Sequence, residues 1–219
     1  MTIVAQALLP ALLSRGNRQA LAKFCGWHSH SEWPPVAAPF DPHRKPSLKS
    51  IPGTQRSVLM NEKTLREYLG RALAWHEAHV DWKKVVSGIP EKQRGIRPPG
   101  ADHSPWELLE HMRIATWDML EFSRDAKKHK SPDWPAGYWP PTPAPPKSAA
   151  WNISVQSLER DLEAMAKLVA DPKIDLLAPI PGGSGQTILR EALLIVDHNS
   201  YHLGQLVLVR RLLGCWPET

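Results

Sequence analysis

The chain has 219 residues, among them 27 Lys and Arg, 22 Asp and Glu, 10 His, 22 Pro and two Cys. That length suits one full-sized domain, or a smaller one with an appendage, and a hydrophobic share of 42% is ordinary for a globular protein. Cys25 and Cys215 are too few for a disulfide framework and do not stand at metal spacing. No apolar run nears the roughly 20 residues that a membrane-spanning helix needs. A reducing, cytoplasmic setting follows as the default.

The net charge of +5 sits wholly in the first quarter of the chain. Residues 1–59 carry seven basic and two acidic residues, whereas residues 60–219 carry twenty of each. A neutral remainder lacks the electrostatic footprint of a nucleic-acid binder. Residues 25–56 are broken by Pro34, Pro35, Pro39, Pro42, Pro46 and Pro52, and such a stretch cannot bury enough apolar surface to offset its ordering entropy. Residues 1–59 are therefore read as a disordered extension, translated ahead of a true start at Met60. A targeting peptide is the alternative, since no acidic residue precedes Glu32. His28 and His30 lie inside this stretch and are read as idle.

From Met60 the periodicity turns helical. Thr64-Leu65-Arg66-Glu67 reads as a capping box, and the stripe Leu65, Tyr68, Leu69, Ala72, Trp75, His76, His79, Trp82 and Val86 predicts one helix over residues 64–87. Ser104-Pro105-Trp106-Glu107 opens a second helix, to about residue 128, with Ser at the cap, Pro at the first helical position and Glu three after the cap. Residues 131–147 hold seven prolines and form a long crossover, which Trp134, Tyr138 and Trp139 should pack against the body. A third helix, over residues 148–170, carries Trp151, Val155, Leu158, Leu162, Met165 and Val169 on one face. A fourth, over residues 187–213, is apolar nearly all round and is expected to be the most buried. No strand pattern appears in the domain. The fold class is all-α: a four-helix bundle over residues 60–219 with a Pro-rich crossover between helices two and three.

The chemistry concentrates in that fourth helix. His198 and His202 stand four apart, on one face, with Cβ atoms about 5–6 Å from each other, and two imidazoles so placed can chelate one ion. Burying both rings costs free energy unless each finds a partner. His111, on the apolar stripe of the second helix, is the natural third ligand, and three histidines with an open fourth position is a catalytic pattern. On spacing alone the three are read equally as metal ligands or as hydrogen-bonded core residues. His76 and His79 stand three apart rather than the four of a zinc-protease helix. No Glu-x-x-His pair exists for a di-iron site. Gly182-Gly183-Ser184-Gly185 lacks the preceding strand and the Lys-Ser/Thr pair of a phosphate loop.

Residues 60–219 resemble the DinB-like superfamily. DHSPWELLEHMRIATWDMLEF (102–122) is similar to the family's second helix with its single histidine, and GQTILREALLIVDHNSYHLGQLVLVRRLLG (185–214) to its fourth, with an H-x-x-x-H-x-G-Q signature. The resemblance implies a four-helix bundle holding one divalent ion, zinc or nickel, through His111, His198 and His202. Relatives include thiol transferases that use bacillithiol or mycothiol, in which the metal binds the thiol sulfur and favours its thiolate.

Around these three, Glu107 is read as the cap of its helix or as an acceptor fixing a ligand imidazole. His79 is read as a core residue, a pocket acid/base or a fourth ligand. Asn199 and Gln205 are expected to line the same cavity, Tyr201 to pack between helices, and Asp197 to pair with Arg113 or Arg190. The expected function is metal activation of a low-molecular-weight thiol, or of water, for attack on a small electrophile such as an epoxide, activated alkene or halide. The alternative is a non-catalytic, stress-related metal- or ligand-binding bundle. The resemblance also suggests a homodimer.

Overall fold

The computed structural model describes residues 62–75 and 78–217. The expectations for residues 1–59, for Met60 as a start and for His76 lie outside the described residues. Among the described residues five α-helices follow one another: α1 (Glu62–Leu73), α2 (Trp82–Val86), α3 (Pro105–Asp125), α4 (Ala150–Ala170) and α5 (Ile188–Leu212). Single 3₁₀ turns stand at Glu91–Gln93 and Ala136–Tyr138. No strand occurs among the described residues, only an isolated bridge between Pro179 and Thr187. No described helix is long and apolar enough to cross a membrane.

The first arm of the bundle is α1 and α2 together, and here the expected single helix is broken. Trp75 adopts φ 55°, a left-handed conformation that a non-glycine residue rarely takes and that no α-helix can propagate. The chain restarts at Asp81, whose carboxylate accepts from the Lys83 backbone N–H at 2.7 Å and so caps α2. Trp75 and Trp82 flank the break and are both buried, so the apolar stripe survives while the helix does not. Thr64 stands inside the first turn of α1 rather than ahead of it.

The second helix begins as its sequence demands. Ser104 Oγ accepts from the Glu107 N–H (3.2 Å) and Glu107 Oε2 accepts from the Ser104 N–H (2.8 Å), a complete capping box with Pro105 behind it. Fourteen of the 21 residues of α3 are buried, against ten of 25 in α5. The expectation that the fourth helix is the most buried is therefore corrected. α5 buries one stripe, Ile188, Ala192, Ile195, Asn199, His202, Leu206 and Val209, but turns Leu193, Tyr201, Leu208 and Leu212 outward. α3 is the more enclosed because the crossover covers its remaining side.

That crossover is fastened at several points. Ser104 Oγ donates to the Pro143 carbonyl (2.5 Å), and the Tyr138 hydroxyl donates to Asp118 Oδ2 (2.6 Å). Gly95 lies so close to it that an added Cβ would stand 2.4 Å from the Ala144 Cβ, so the approach admits only glycine.

Two buried guanidinium groups finish the helix ends. Arg66 donates to the carbonyls of Val169 (2.6 Å), in the last turn of α4, and of Asp171 (2.9 Å) and Ile174 (2.6 Å) just beyond it. Arg210 donates to those of Lys84 (2.9 Å), Val85 (2.6 Å) and Cys215 (2.8 Å), joining the end of α2 to the end of α5. Each supplies donors to carbonyls at or beyond a helix end, where intrahelical N–H partners run out. Arg210→Met keeps the bulk but removes all three bonds and strands the buried Val85 carbonyl; it should cost about 2 kcal/mol. Urea unfolding measures this, and a midpoint equal to wild type would show that the carbonyls find other partners.

Candidate metal centre

His111 stands in the second turn of α3, and His198 and His202 on the inward face of α5. One ring nitrogen from each lies within 4.8 Å of the others, and Nε2 of His111 is 3.0 Å from Nε2 of His198. Four-coordinate zinc, with Zn–N near 2.0–2.1 Å, places its nitrogen ligands about 3.3 Å apart. The His111–His198 pair is already close to that spacing, and the His202 nitrogen lies within 4.8 Å of both.

The opposite ring nitrogens each meet an oxygen acceptor. His111 Nδ1–H donates to the Tyr138 carbonyl at 2.8 Å, and a carbonyl can only accept. His202 Nδ1 faces Gln205 Oε1 at 2.7 Å. His198 Nδ1 faces Asn199 Oδ1 at 3.1 Å, and Asn199 Nδ2 donates to Thr116 Oγ1 at 2.8 Å. All three Nδ1–H groups are spent outward. The Nε2 lone pairs of His111 and His198 then face one another across 3.0 Å, which is repulsive unless a cation or a shared proton lies between. These residues fit a divalent ion, with each imidazole oriented by a partner on its far nitrogen.

Electrostatics agree. Burial, with smaller contributions from His198 and His103, pushes His111 down to about 4. Burial, with His198 and His111 beside it, pushes His202 down to about 3. Burial also lowers His198. All three are neutral at physiological pH, the form a metal requires.

An aromatic wall closes one side. The Trp139 indole, from the crossover, stacks on His111 with centroids 3.9 Å apart and planes 3° from parallel. His103 stacks on Trp139 at 4.0 Å, and Tyr201 meets the edge of His202 at 5.0 Å.

The other expected residues divide. Asn199 and Gln205 join the cluster as hydrogen-bond partners of its histidines. Glu107 serves the capping box and pairs with Arg97; burial raises its carboxyl, but Arg97 and the Ser104 N–H outweigh that and hold it below the usual range. His79 is not brought to the centre: it is exposed in the bend between α1 and α2, because the left-handed step at Trp75 ends the helix that would have turned it inward. Tyr201 is more than half exposed rather than packed between helices. Arg113 and Arg190 pair with Glu110 and Glu191, not with Asp197.

Four contributors were not legible beforehand: Thr116, His103, Trp139 and the Tyr138 carbonyl. Only the aromatic run in the crossover carried a signal, as a segment that packs down. A backbone carbonyl carries none, since every residue has one.

A helical bundle with three histidines converging from two of its helices is thus the class that fold and site define. The sequence profile of the DinB superfamily matches residues 74–206, more than half of the chain, and the chain belongs to that superfamily. No curated protein and no solved structure gives a significant match.

With folded values below the unfolded one of about 6.5, the metal-free histidines contribute stability that is complete above that pH and is lost as pH falls toward about 4 and 3. After chelation, the unfolding midpoint should drop on acidification from pH 6.5 to 4.5, and His202→Leu should flatten that dependence. Parallel curves for the two proteins would contradict the buried, neutral assignment.

Proposed function

We propose that His111, His198 and His202 bind one divalent ion, zinc or nickel, and that the protein uses it to activate a low-molecular-weight thiol, or water, against a small electrophile. The observation that carries this reading is the pair of Nε2 atoms 3.0 Å apart whose Nδ1–H groups are both committed elsewhere. A bound divalent ion supplies positive charge that favours the ionised form of a thiol or water at its free position. The chain's own part is to hold three neutral imidazoles with their Nε2 atoms inward and to keep water from one face with Trp139. A small thiol as co-substrate accords with a cytoplasmic location.

A non-catalytic reading also has an observation in its favour. His111 and His202 are 5% and 8% exposed, so an ion here would staple α3 to α5 whether or not a substrate reaches it. The two readings share the ion and differ in the reaction.

Metal content of the full chain, by plasma mass spectrometry, should be about one equivalent and should vanish in His111→Ala with helicity retained. Equal content in both proteins would refute the site. The loaded protein is then mixed with a thiol and a chromogenic halide or epoxide. Acceleration lost in His111→Ala supports catalysis, and none with either thiol or water leaves the staple.

The exposed stripe of Leu193, Tyr201, Leu208 and Leu212 along α5 supports a homodimer through that helix. Leu208→Glu should then convert a sedimenting dimer to monomer; a wild-type monomer at micromolar concentration rejects the proposal.

A further inference from the structure

Asp118 lies seven residues after His111 on α3, two helical turns along the same face, and is 9% exposed. A buried carboxylate needs partners, and it has two. Its Oδ2 accepts from the Tyr138 hydroxyl at 2.6 Å, and its Oδ1 meets His129 Nε2 at 2.6 Å. His129 sits in the turn that follows α3, its backbone N–H bonded to the Asp125 carbonyl at 3.0 Å and its ring against the edge of Trp117 at 5.3 Å. The three side chains form a clasp that fixes the crossover to α3 at residue 138.

That is also where the crossover touches the metal centre. The Tyr138 carbonyl takes the His111 Nδ1–H, and the next residue, Trp139, stacks on the same imidazole. One contact lies in the ring plane and fixes the tautomer. The other lies on the ring face and fixes the tilt. Both come from consecutive residues of a Pro-rich segment with no helix beyond one 3₁₀ turn, and of the bonds that fasten this segment the one at the Tyr138 hydroxyl lies in the residue that makes the first contact.

We propose that Asp118 and Tyr138 are positioning residues for His111: the carboxylate holds the Tyr138 hydroxyl, and the held tyrosine presents its carbonyl to Nδ1 so that Nε2 faces the cluster. This rests on the metal reading above, but its own test is separable from it. The clasp orients a ligand through a backbone carbonyl, the role that carboxylates and carbonyls play behind metal-bound histidines. It acts without touching the ion or any substrate.

The test uses the full chain as wild type, Tyr138→Phe, Asp118→Leu and Asp118→Asn. Arg66→Met serves as a destabilised control, since Arg66 bonds to none of these residues. Two quantities are read: the dissociation constant for Zn²⁺ or Ni²⁺ by competition with a chromophoric chelator, and the ¹⁵N shifts of the His111 ring in chelated protein, which report the nitrogen that carries the proton. Tyr138→Phe and Asp118→Leu should each weaken metal binding about 10- to 100-fold and move the His111 ring from the Nδ1–H form toward a tautomer mixture. Asp118→Asn keeps an acceptor for the tyrosine and should give a smaller change in the same direction, which carries the test if the other two fail to fold. Arg66→Met should lower the melting temperature and change neither quantity. Lowered melting temperatures with wild-type affinity and wild-type ring shifts in the clasp variants would overturn the positioning role. A wild type that binds no ion would overturn the metal reading instead, and the ring shifts would still decide whether the clasp sets the tautomer.

Discussion

Two imidazole nitrogens held 3.0 Å apart, each with its proton committed to the far side of its ring, form the constraint around which this protein is arranged. Neutral imidazoles do not choose that geometry freely. It requires an acceptor behind each ring, and the chain draws these from three places: the crossover backbone for His111, an α5 amide braced by Thr116 of α3 for His198, and an α5 amide one turn on for His202. Burial adds the second requirement, since it disfavours the charged forms and leaves lone pairs rather than protons pointing inward.

The enclosure of α3 is the cost of that arrangement and explains much of the remaining polar structure. A helix buried along fourteen of its residues must pair its buried carboxylates, although the Trp106 indole N–H finds no partner. Glu107 closes the cap, Glu110 pairs with Arg113 and also accepts from Ser154 of α4, and Asp118 binds Tyr138 and His129. Each carboxylate on the buried faces of α3 thus ties it to the crossover, to α4 or to itself. Arg66 and Arg210 apply the same logic at helix ends, where carbonyls rather than carboxylates need satisfying.

α5 has a double character that accounts for how its sequence misleads. Its inward stripe carries two histidines and an asparagine among aliphatic residues, and its outward stripe carries leucines and a tyrosine. Composition alone makes such a helix look buried all round. Hydrophobicity reports which residues leave water when a partner is present, not whether that partner lies within the same chain.

Periodicity and capping chemistry determined most of the fold. Ser104, Pro105 and Glu107 state where α3 begins, Thr187 where α5 begins, and the prolines of residues 131–147 where no helix can run. These are local effects, settled within one turn of chain. The i, i+4 spacing of His198 and His202 is equally local, and the apolar stripe of the second helix offered His111 as their companion, the same three that the DinB resemblance implies. Tertiary structure decided what local chemistry cannot. The left-handed step at Trp75 ended a helix whose apolar stripe continued unbroken, and so put His79 in the open. The Tyr138 carbonyl, the Trp139 stack and the tyrosine hydroxyl that Asp118 holds come from a segment beginning 27 residues beyond His111, with no periodicity to say which atom faces where. Side-chain type and spacing are written in the sequence, whereas the partner of a backbone carbonyl is fixed only when two distant segments pack together.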